Sequence, residues 1–128
     1  MSHDTQYLMV FKQVFTQSLL ISEKYLHFDL ENYVEYSVLT RSFTVLQLAV
    51  LVGVHNRDFI IHGKIIQDLY EKFLDYFAKE EDKRGYDEEV GFMHSMAHAA
   101  DLFAQLMKVE LFRQNEIKTM FKAITDKY

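Results

Sequence analysis

The sequence contains no cysteine, no proline and no tryptophan, and it has only four glycines. The lack of cysteine excludes disulfide bonds and thiolate metal ligands, and it is typical of proteins from a reducing compartment such as the cytoplasm. Tight hairpins and Greek keys depend on turn residues, so the scarcity of proline and glycine argues against an all-β fold. Long stretches without helix-breaking residues instead favour helices joined by short loops.

Composition and charge argue against several further classes of protein. Hydrophobic residues make up 49% of the 128 residues and charged residues 26%, which is the balance of one globular domain. The net charge is −5 and no basic patch is present, so nucleic acid is not an expected partner. The longest apolar run, VLQLAVLVGV at 45–54, is shorter than the ~20 residues of a membrane helix, and the N-terminus lacks a signal-peptide pattern. We therefore expect a single cytoplasmic domain that does not engage a membrane.

Helical periodicity predicts an all-α fold of about five helices, arranged as antiparallel hairpins in a bundle or a short HEAT-like solenoid. The predicted helices span residues 4–23, 30–52, 58–81, 87–110 and 113–127. Residues 53–58 are predicted as a turn, and Asp29 and Asp87 are predicted to cap the second and fourth helices. The single domain (1–128) then consists of an N-terminal helix and loop, a core and a C-terminal helix, at residues 1–29, 30–110 and 111–128.

The segment HSMAHAADLFAQLM (94–107) places polar side chains on one face of the predicted fourth helix. At ~100° per residue, four of them fall within about 60° of one another. They are His94, His98, Asp101 and Gln105. The opposite face is apolar and is expected in the core. Ala97 and Ala104 flank the polar stripe, so a second helix could approach it closely.

Three roles are open to the two histidines and the aspartate that follows them. His94, His98 and Asp101 could hold a divalent metal ion, or they could line a polar pocket without a metal. The histidines could instead be structural and hydrogen-bonded between helices. A metal site would need further ligands, and the HExxH motif is absent because Ser95 follows His94. The spacing alone does not decide among the three roles.

Arg41 is the second informative residue, because it lies in LTRSFTVLQLAV (39–50), a segment that is otherwise expected to be buried. A buried guanidinium requires a carboxylate partner, since an unpaired one costs about 3–5 kcal/mol. Asp101 and the acidic residues at 80–82 are the candidate partners. Arg41 could then hold two helices together, or it could bind an anionic substrate.

Three segments resemble the motifs of an uncharacterised bacterial domain family, found mainly in Gram-positive bacteria. RSFTVLQLA (41–49), EEDKRGYDEEVGF (80–92) and HSMAHAADLFAQL (94–106) are similar to its R-S-F-S, E-x-D-x-R-G-Y and G-W-x-H-x-x-A-H-x-A-D-L patterns, in the same order. Thr44 and Phe92 depart from the family's serine and tryptophan. The resemblance covers about residues 38–108, the C-terminal part of longer family members. It implies an all-α, HEAT-like stack of helical hairpins and no known activity.

These observations favour a small binding module whose work is to bind a protein partner or itself. An inter-helix polar network would fix the shape of its groove; besides the histidines and Asp101 it would comprise Arg41, Asp82, Arg84, Tyr86 and Gln105. One alternative is a hydrolase-like enzyme in which His94 and His98 bind a divalent metal ion or act as general base, and Asp101 orients an imidazole. A weaker alternative is a sensor of small anionic ligands. No other cofactor is expected.

A helical stack that is cut short exposes an apolar face that a further hairpin would have covered. Either the N-terminal helix or a second copy of the chain is expected to cover this face. We therefore expect a homodimer or a complex with another protein.

Overall fold

The computed structural model describes residues 3–28, 37–81, 86–87, 91–92 and 95–127. Within these residues the chain forms five α-helices and one two-stranded antiparallel ladder. The helices are α1 (His3–Glu23), α2 (Ser37–Asp58), α3 (Gly63–Lys79), α4 (Ser95–Leu106) and α5 (Gln114–Lys127), and the strands are β1 (Tyr86–Asp87) and β2 (Gly91–Phe92). The predicted all-α class is confirmed, whereas the HEAT-like arrangement stays a prediction.

Helix α2 lies at the centre of the fold, and its contact with α4 is the most extensive between any two described elements. Val45, Leu48 and Val52 on α2 are completely buried. Among the described residues, α2 is also the helix that is long and apolar enough to cross a membrane. Because 56% of its most apolar stretch is buried inside the fold, its composition is that of a core helix.

The core between α3 and α4 is aromatic. The apolar residues of α3 recur at helical spacing, so that Leu69, Phe73 and Phe77 share one buried face. Phe103 of α4 packs against both phenylalanines, with ring centroids 4.7 Å from Phe73 and 4.8 Å from Phe77. These tilted and edge-on contacts are the arrangements that aromatic pairs prefer. They fix the C-terminal end of α3 relative to α4.

The junction between α2 and α3 lies further along the chain than predicted. Residues 53–58 were expected to form a turn, but they continue α2 to Asp58. Gly53 is helical and faces Gln105 of α4, whose side chain would lie 3.4 Å from a Cβ at this position, an ordinary van der Waals distance. The chain turns at Phe59, whose φ of 54° lies in the left-handed region although the residue is not glycine. His62 then accepts a hydrogen bond from the backbone N–H of Lys64 and caps α3.

Helix α4 is shorter than the predicted helix at 87–110. Asp87 was expected to cap that helix, but it lies in β1 and pairs with Gly91 of β2. The three acidic residues at 87–89 are typical of the first turn of a helix, which is why the sequence predicted one there. The strand pairing that forms instead has no recognisable pattern in the local sequence. At its other end α4 stops at Leu106. The predicted cap at Asp29 and the predicted start of the second helix at residue 30 lie outside the described residues.

Candidate functional site

A buried ion pair joins α2 to the end of α3. Arg41 donates from Nε and Nη2 to Oε1 and Oε2 of Glu80, each over 2.9 Å, in the bidentate geometry that suits a guanidinium and a carboxylate. The hydroxyl of Tyr76 donates to Glu80 Oε1 over 2.9 Å. Arg41, Glu80 and Tyr76 are 5%, 1% and 0% exposed. Of the candidate partners that the sequence offered, Glu80 therefore binds Arg41, whereas Asp101 is exposed.

Glu80 occupies the C-cap position of α3, and its backbone N–H donates to the carbonyl of Tyr76 over 2.9 Å. A carboxylate is unfavourable there because the C-terminal end of a helix carries partial negative charge. Two cations offset this cost. Arg41 binds the carboxylate, and Lys127 of α5 donates from Nζ to the backbone carbonyls of Phe77 and Glu80. Helices α2 and α5 thus meet at the end of α3.

The chain that follows α1 is attached to the same cluster. Arg41 Nη1 donates to the backbone carbonyl of Phe28 over 2.9 Å. The neighbouring His27 lies with Nε2 2.8 Å from Asp75 Oδ2, and Lys79 Nζ lies 3.0 Å from the same oxygen. Hydrogen bonds from Lys79 and His27 hold the pKa of Asp75 below its usual value. The Arg41 cluster therefore links the chain after α1 and the end of α3 to the N-terminal part of α2.

A second polar contact joins α2 to α4. His98 is half-buried, and its Nδ1 lies 2.9 Å from the hydroxyl and 3.0 Å from the backbone carbonyl of Ser42, which is completely buried. The carbonyl oxygen can only accept, so this contact requires the proton on Nδ1. In that tautomer the neutral ring carries its lone pair on Nε2. His98 thus fastens α4 to the same stretch of α2 that carries Arg41.

The structure splits the polar stripe that the sequence predicted on the fourth helix. His98 and Gln105 face α2, where Asn56 donates from Nδ2 to the backbone carbonyl of Gln105 over 2.8 Å and to its Oε1 over 3.2 Å. Asp101 is exposed. The first member of the stripe, His94, lies outside the described residues. The alanines that were expected to adjoin a neighbouring helix are also exposed, namely Ala97 and Ala104.

Several predicted site residues have no structural account. Asp82 and Arg84 lie outside the described residues, as does the side chain of Tyr86, whose backbone belongs to β1. In the part of the chain that is described, no group of three or more His, Asp or Glu side chains could hold a metal ion. The predicted metal site includes His94, and it stays a prediction.

Sequence reasoning missed a third polar contact, which surrounds His55 near the end of α2. His55 is 2% exposed, and its Nδ1 accepts a hydrogen bond from the backbone N–H of Ile61 over 3.0 Å. The proton of the neutral ring is therefore on Nε2, which lies 3.4 Å from Glu110 Oε1. This histidine holds the turn between α2 and α3 in place. Tyr76 and Lys127 were missed too, and only the i, i+4 spacing of Tyr76 and Glu80 hinted at a contact.

These polar groups are arranged to hold helices rather than to bind a substrate. The guanidinium of Arg41 is already engaged by a buried carboxylate, so an anionic ligand would have to displace Glu80 from the interior. His98 directs one ring nitrogen at a buried serine of the core helix. The described geometry therefore favours the structural alternative for both residues.

Exposed apolar side chains concentrate on α1 and α2. On α1, Val10, Val14 and Ile21 are 58%, 56% and 54% exposed, and every side chain from 9 to 14 is exposed. On α2, Phe43 and Val50 are 57% and 59% exposed. We define the α1–α2 face as these residues with Tyr25 and the glutamines between them: Val10, Val14, Gln17, Ile21, Tyr25, Phe43, Gln47 and Val50.

The turn that follows α1 adjoins the exposed side of α2. A groove of about 400 Å³ runs between the end of α1 and α2, and its lining includes Tyr25, Phe43 and Gln47. Along α1, side chains that recur at helical spacing are Tyr7, Val10, Phe11, Val14, Phe15 and Ser18. Phe15 packs against the core, whereas Val10, Phe11 and Val14 are exposed, and the Phe11 ring lies 4.7 Å from that of Phe15. Val10 and Val14 are therefore open to a partner.

A larger groove, of about 610 Å³, separates α3 from α5. Its floor includes Leu74, Ala78 and Ala123. At its rim Lys122 and Asp126 form their own ion pair over 2.8 Å. Glu81 also lines this groove and is exposed.

Comparison with known proteins gives one match. The model of a family described as a protein of unknown function, DUF2785, matches residues 26–128. No curated protein and no solved structure matches the chain. The match includes α2 to α5 with all three polar contacts, whereas α1 lies before it.

Proposed function

Because the chain belongs to DUF2785, a family of unknown function, we propose its function from its surface: it is a helical protein-binding module that forms a homodimer through the α1–α2 face. The observation that carries this proposal is the row of exposed apolar side chains on α1. In a monomer, that row would leave a helix with its apolar side in water.

The spacing of this row is that of a helix that packs against another helix. Val10, Val14, Gln17 and Ile21 follow one another at intervals of four, three and four residues. Alternating intervals of three and four place side chains along one seam, as at the a and d positions of a coiled coil. At ~100° per residue, the three apolar members fall within about 40° of one another. A second helix can therefore cover all three at once.

The area of the face also suits a dimer. Six apolar side chains that are each about half exposed offer roughly 600 Å², which matches or exceeds the largest apolar patch of a typical monomer, ~300–600 Å². The intervening Gln17 and Gln47 bring the face close to the ~800 Å² that each partner contributes to a standard interface.

The buried polar contacts support binding by holding this face in one shape. Arg41 ties the chain after α1 to α2 through the Phe28 carbonyl, and it ties α2 to α3 through Glu80. The relative position of α1 and α2 is thereby fixed before a partner arrives. A preformed surface loses less conformational entropy on binding than a mobile one.

The test compares two variants that add the same charge at different positions on α1. Val14→Glu places a carboxylate on the seam, and Gln13→Glu places one on an exposed position beside it. We expect the wild type and Gln13→Glu to be dimers by multi-angle light scattering at about 100 µM, which is a hundredfold above a Kd of ~1 µM. Val14→Glu should be a monomer with an unchanged circular dichroism spectrum, because Val14 does not contribute to the core.

A wild-type chain that is monomeric at this concentration would contradict the proposal. So would a Val14→Glu variant that remains dimeric, since the seam would then lie outside the interface.

A further inference from the structure

The geometry points to an antiparallel pairing of the two α1 helices, with Val10 of one copy facing Ile21 of the second. This inference rests on the proposed homodimer and adds its orientation and register. It also assigns a role to Gln17, the polar residue within the seam.

The uneven burial of α1 is the first argument. Its C-terminal half is anchored to the fold, since Leu19, Ser22 and Glu23 are buried, whereas every side chain from 9 to 14 is exposed. In an antiparallel pair, the exposed half of one helix lies along the outer side of the anchored half of the other. Each exposed half is then supported by a helix that is itself packed on a core.

Charge is the second argument, because it distinguishes the two possible orientations. Lys24 is exposed and directly follows Glu23, the last residue of α1, so it lies at the C-terminal end of the seam. In a parallel pair, equivalent seam positions face each other, so the two Lys24 side chains would meet and repel. In the antiparallel register, they lie about 25 Å apart along the helix axis, which exceeds the ~8–10 Å screening length of physiological salt. The antiparallel orientation removes the like-charge contact.

The position of Gln17 is consistent with the same register. With Val10 opposite Ile21, Val14 faces Gln17 of the second copy. The two Gln17 side chains then lie about 4.5 Å apart along the axis on either side of the twofold, within reach of an amide–amide hydrogen bond. A polar residue in an apolar seam can fix register, because its amide favours an alignment in which a second amide lies within hydrogen-bonding reach. Gln17 is therefore the residue that selects this alignment.

The groove beside Tyr25 is the expected contact of the first turn of α1 from the second copy. In this register, the first turn of α1, which begins at His3, reaches Tyr25 of the second copy. The groove of about 400 Å³ that Tyr25 lines with Phe43 lies at this place. The first turn of the second α1 would thus lie at this groove, next to Tyr25 and Phe43.

The absence of cysteine from the sequence makes this orientation directly testable by disulfide crosslinking. Val10→Cys and Ile21→Cys are made separately in the otherwise intact chain, one of them with an affinity tag. Both sites are more than half exposed, so neither substitution disturbs the core. The variants are oxidised mildly, alone and as an equimolar mixture. The mixed disulfide is measured against each homodimeric disulfide, with Gln13→Cys plus Ile21→Cys as the off-seam control.

We expect the Val10→Cys and Ile21→Cys mixture to crosslink about tenfold faster than either variant alone. Two copies of position 10 lie about 16 Å apart in the antiparallel register, whereas a disulfide requires Cα atoms within ~7 Å. Rapid crosslinking of Val10→Cys alone would establish a parallel pair and overturn the inference. A dimer by light scattering without any seam crosslink would also overturn it, while leaving the homodimer intact. A monomer by light scattering would instead overturn the proposed function itself.

Discussion

The buried pair of Arg41 and Glu80 leads to a prediction about stability. Arg41→Met fills much of the space of the arginine side chain but leaves the Glu80 carboxylate with its one remaining described donor, the Tyr76 hydroxyl. Both charged partners are at least 95% buried, so water cannot replace the lost guanidinium. Removing one partner of such a pair costs about 3–5 kcal/mol. Single domains unfold with ~5–15 kcal/mol, so this loss is a large fraction of the total.

The hydrogen bonds to the Glu80 carboxylate predict which variants lose more stability than others. Tyr76→Phe removes one of the three described bonds to the carboxylate and should cost about 1.5–3 kcal/mol, because the acceptor is charged. Arg41→Met combined with Glu80→Leu removes both charges together. This double variant should recover most of the loss, since a buried pair often contributes little more than an apolar pair of similar volume. The coupling between the two positions should therefore be large.

The assay is equilibrium unfolding in urea, followed by circular dichroism. All variants are made on the Val14→Glu background, so that association does not add to the apparent stability. With a slope of ~2 kcal/mol per molar urea, Arg41→Met should lower the midpoint by about 1.5–2.5 M. A loss of less than ~1 kcal/mol would refute the reasoning, because it would mean that the guanidinium is not needed to hold the buried carboxylate.

Two further predictions concern the exposed ion pair of Asp75 and the contact between His98 and Ser42. The pKa of Asp75 is lower in the folded protein than in the unfolded chain, where it is ~4. Its ionised form therefore stabilises the fold fully above pH ~4, and this stabilisation is lost as the pH falls through the lower pKa of the folded state. Lys79→Gln should therefore lose less stability than the wild type when the pH is lowered from about 6 to 3. The difference should be roughly 0.5 kcal/mol or less, because the pair of Lys79 and Asp75 is exposed. Urea midpoints at both pH values test this. His98→Ala should cost about 1–2 kcal/mol through its lost contact with Ser42, without changing the metal content of tag-free protein purified without chelator. Elemental analysis that finds a bound ion in the wild type and none in His98→Ala would instead support the metal alternative.

The sequence predicted the outer helices well because their limits depend on local signals. The predicted spans 4–23 and 113–127 differ by one residue at one end from α1 (His3–Glu23) and α5 (Gln114–Lys127). The boundary between α2 and α3 was predicted at Gly53 instead. Gly53 is helical, and the chain turns at Phe59, a residue type that gives no turn signal.

The partner of Arg41 could be narrowed from the sequence but not chosen. The choice depends on where α3 ends. A helix that continues to residue 81, as predicted, would keep Glu80 inside the helix, whereas α3 ends at Lys79 and Glu80 leaves it with extended dihedral angles. Without the position of that end relative to α2, the sequence could not show which of the carboxylates at 80–82 meets the guanidinium. Helix ends are the least certain feature of a periodicity argument.

The polar stripe of α4 shows the corresponding limit of a helical wheel. The wheel grouped His98, Asp101 and Gln105 on one face, but it could not show where the buried side ends. The core side of α4 centres on Leu102 and Leu106, which are completely buried. His98 and Gln105 lie at the border of that side and contact α2, whereas Asp101 lies beyond it and is exposed. An angle of about 60° thus separates a structural histidine from a solvated aspartate.

The row of apolar residues on α1 was visible in the sequence, but periodicity does not identify the chain that covers a helix face. The structure covers the anchored half of α1 with its own core and leaves Val10 and Val14 exposed. If a second copy covers them, variants of the interior and of the face must behave differently. Arg41→Met should weaken folding strongly and association of the folded molecules only to a smaller extent, because Arg41 does not reach the seam but helps to hold α1 against α2. Val14→Glu should abolish association at unchanged helix content. If Val14→Glu lost helix content together with association, α1 would fold only together with its partner.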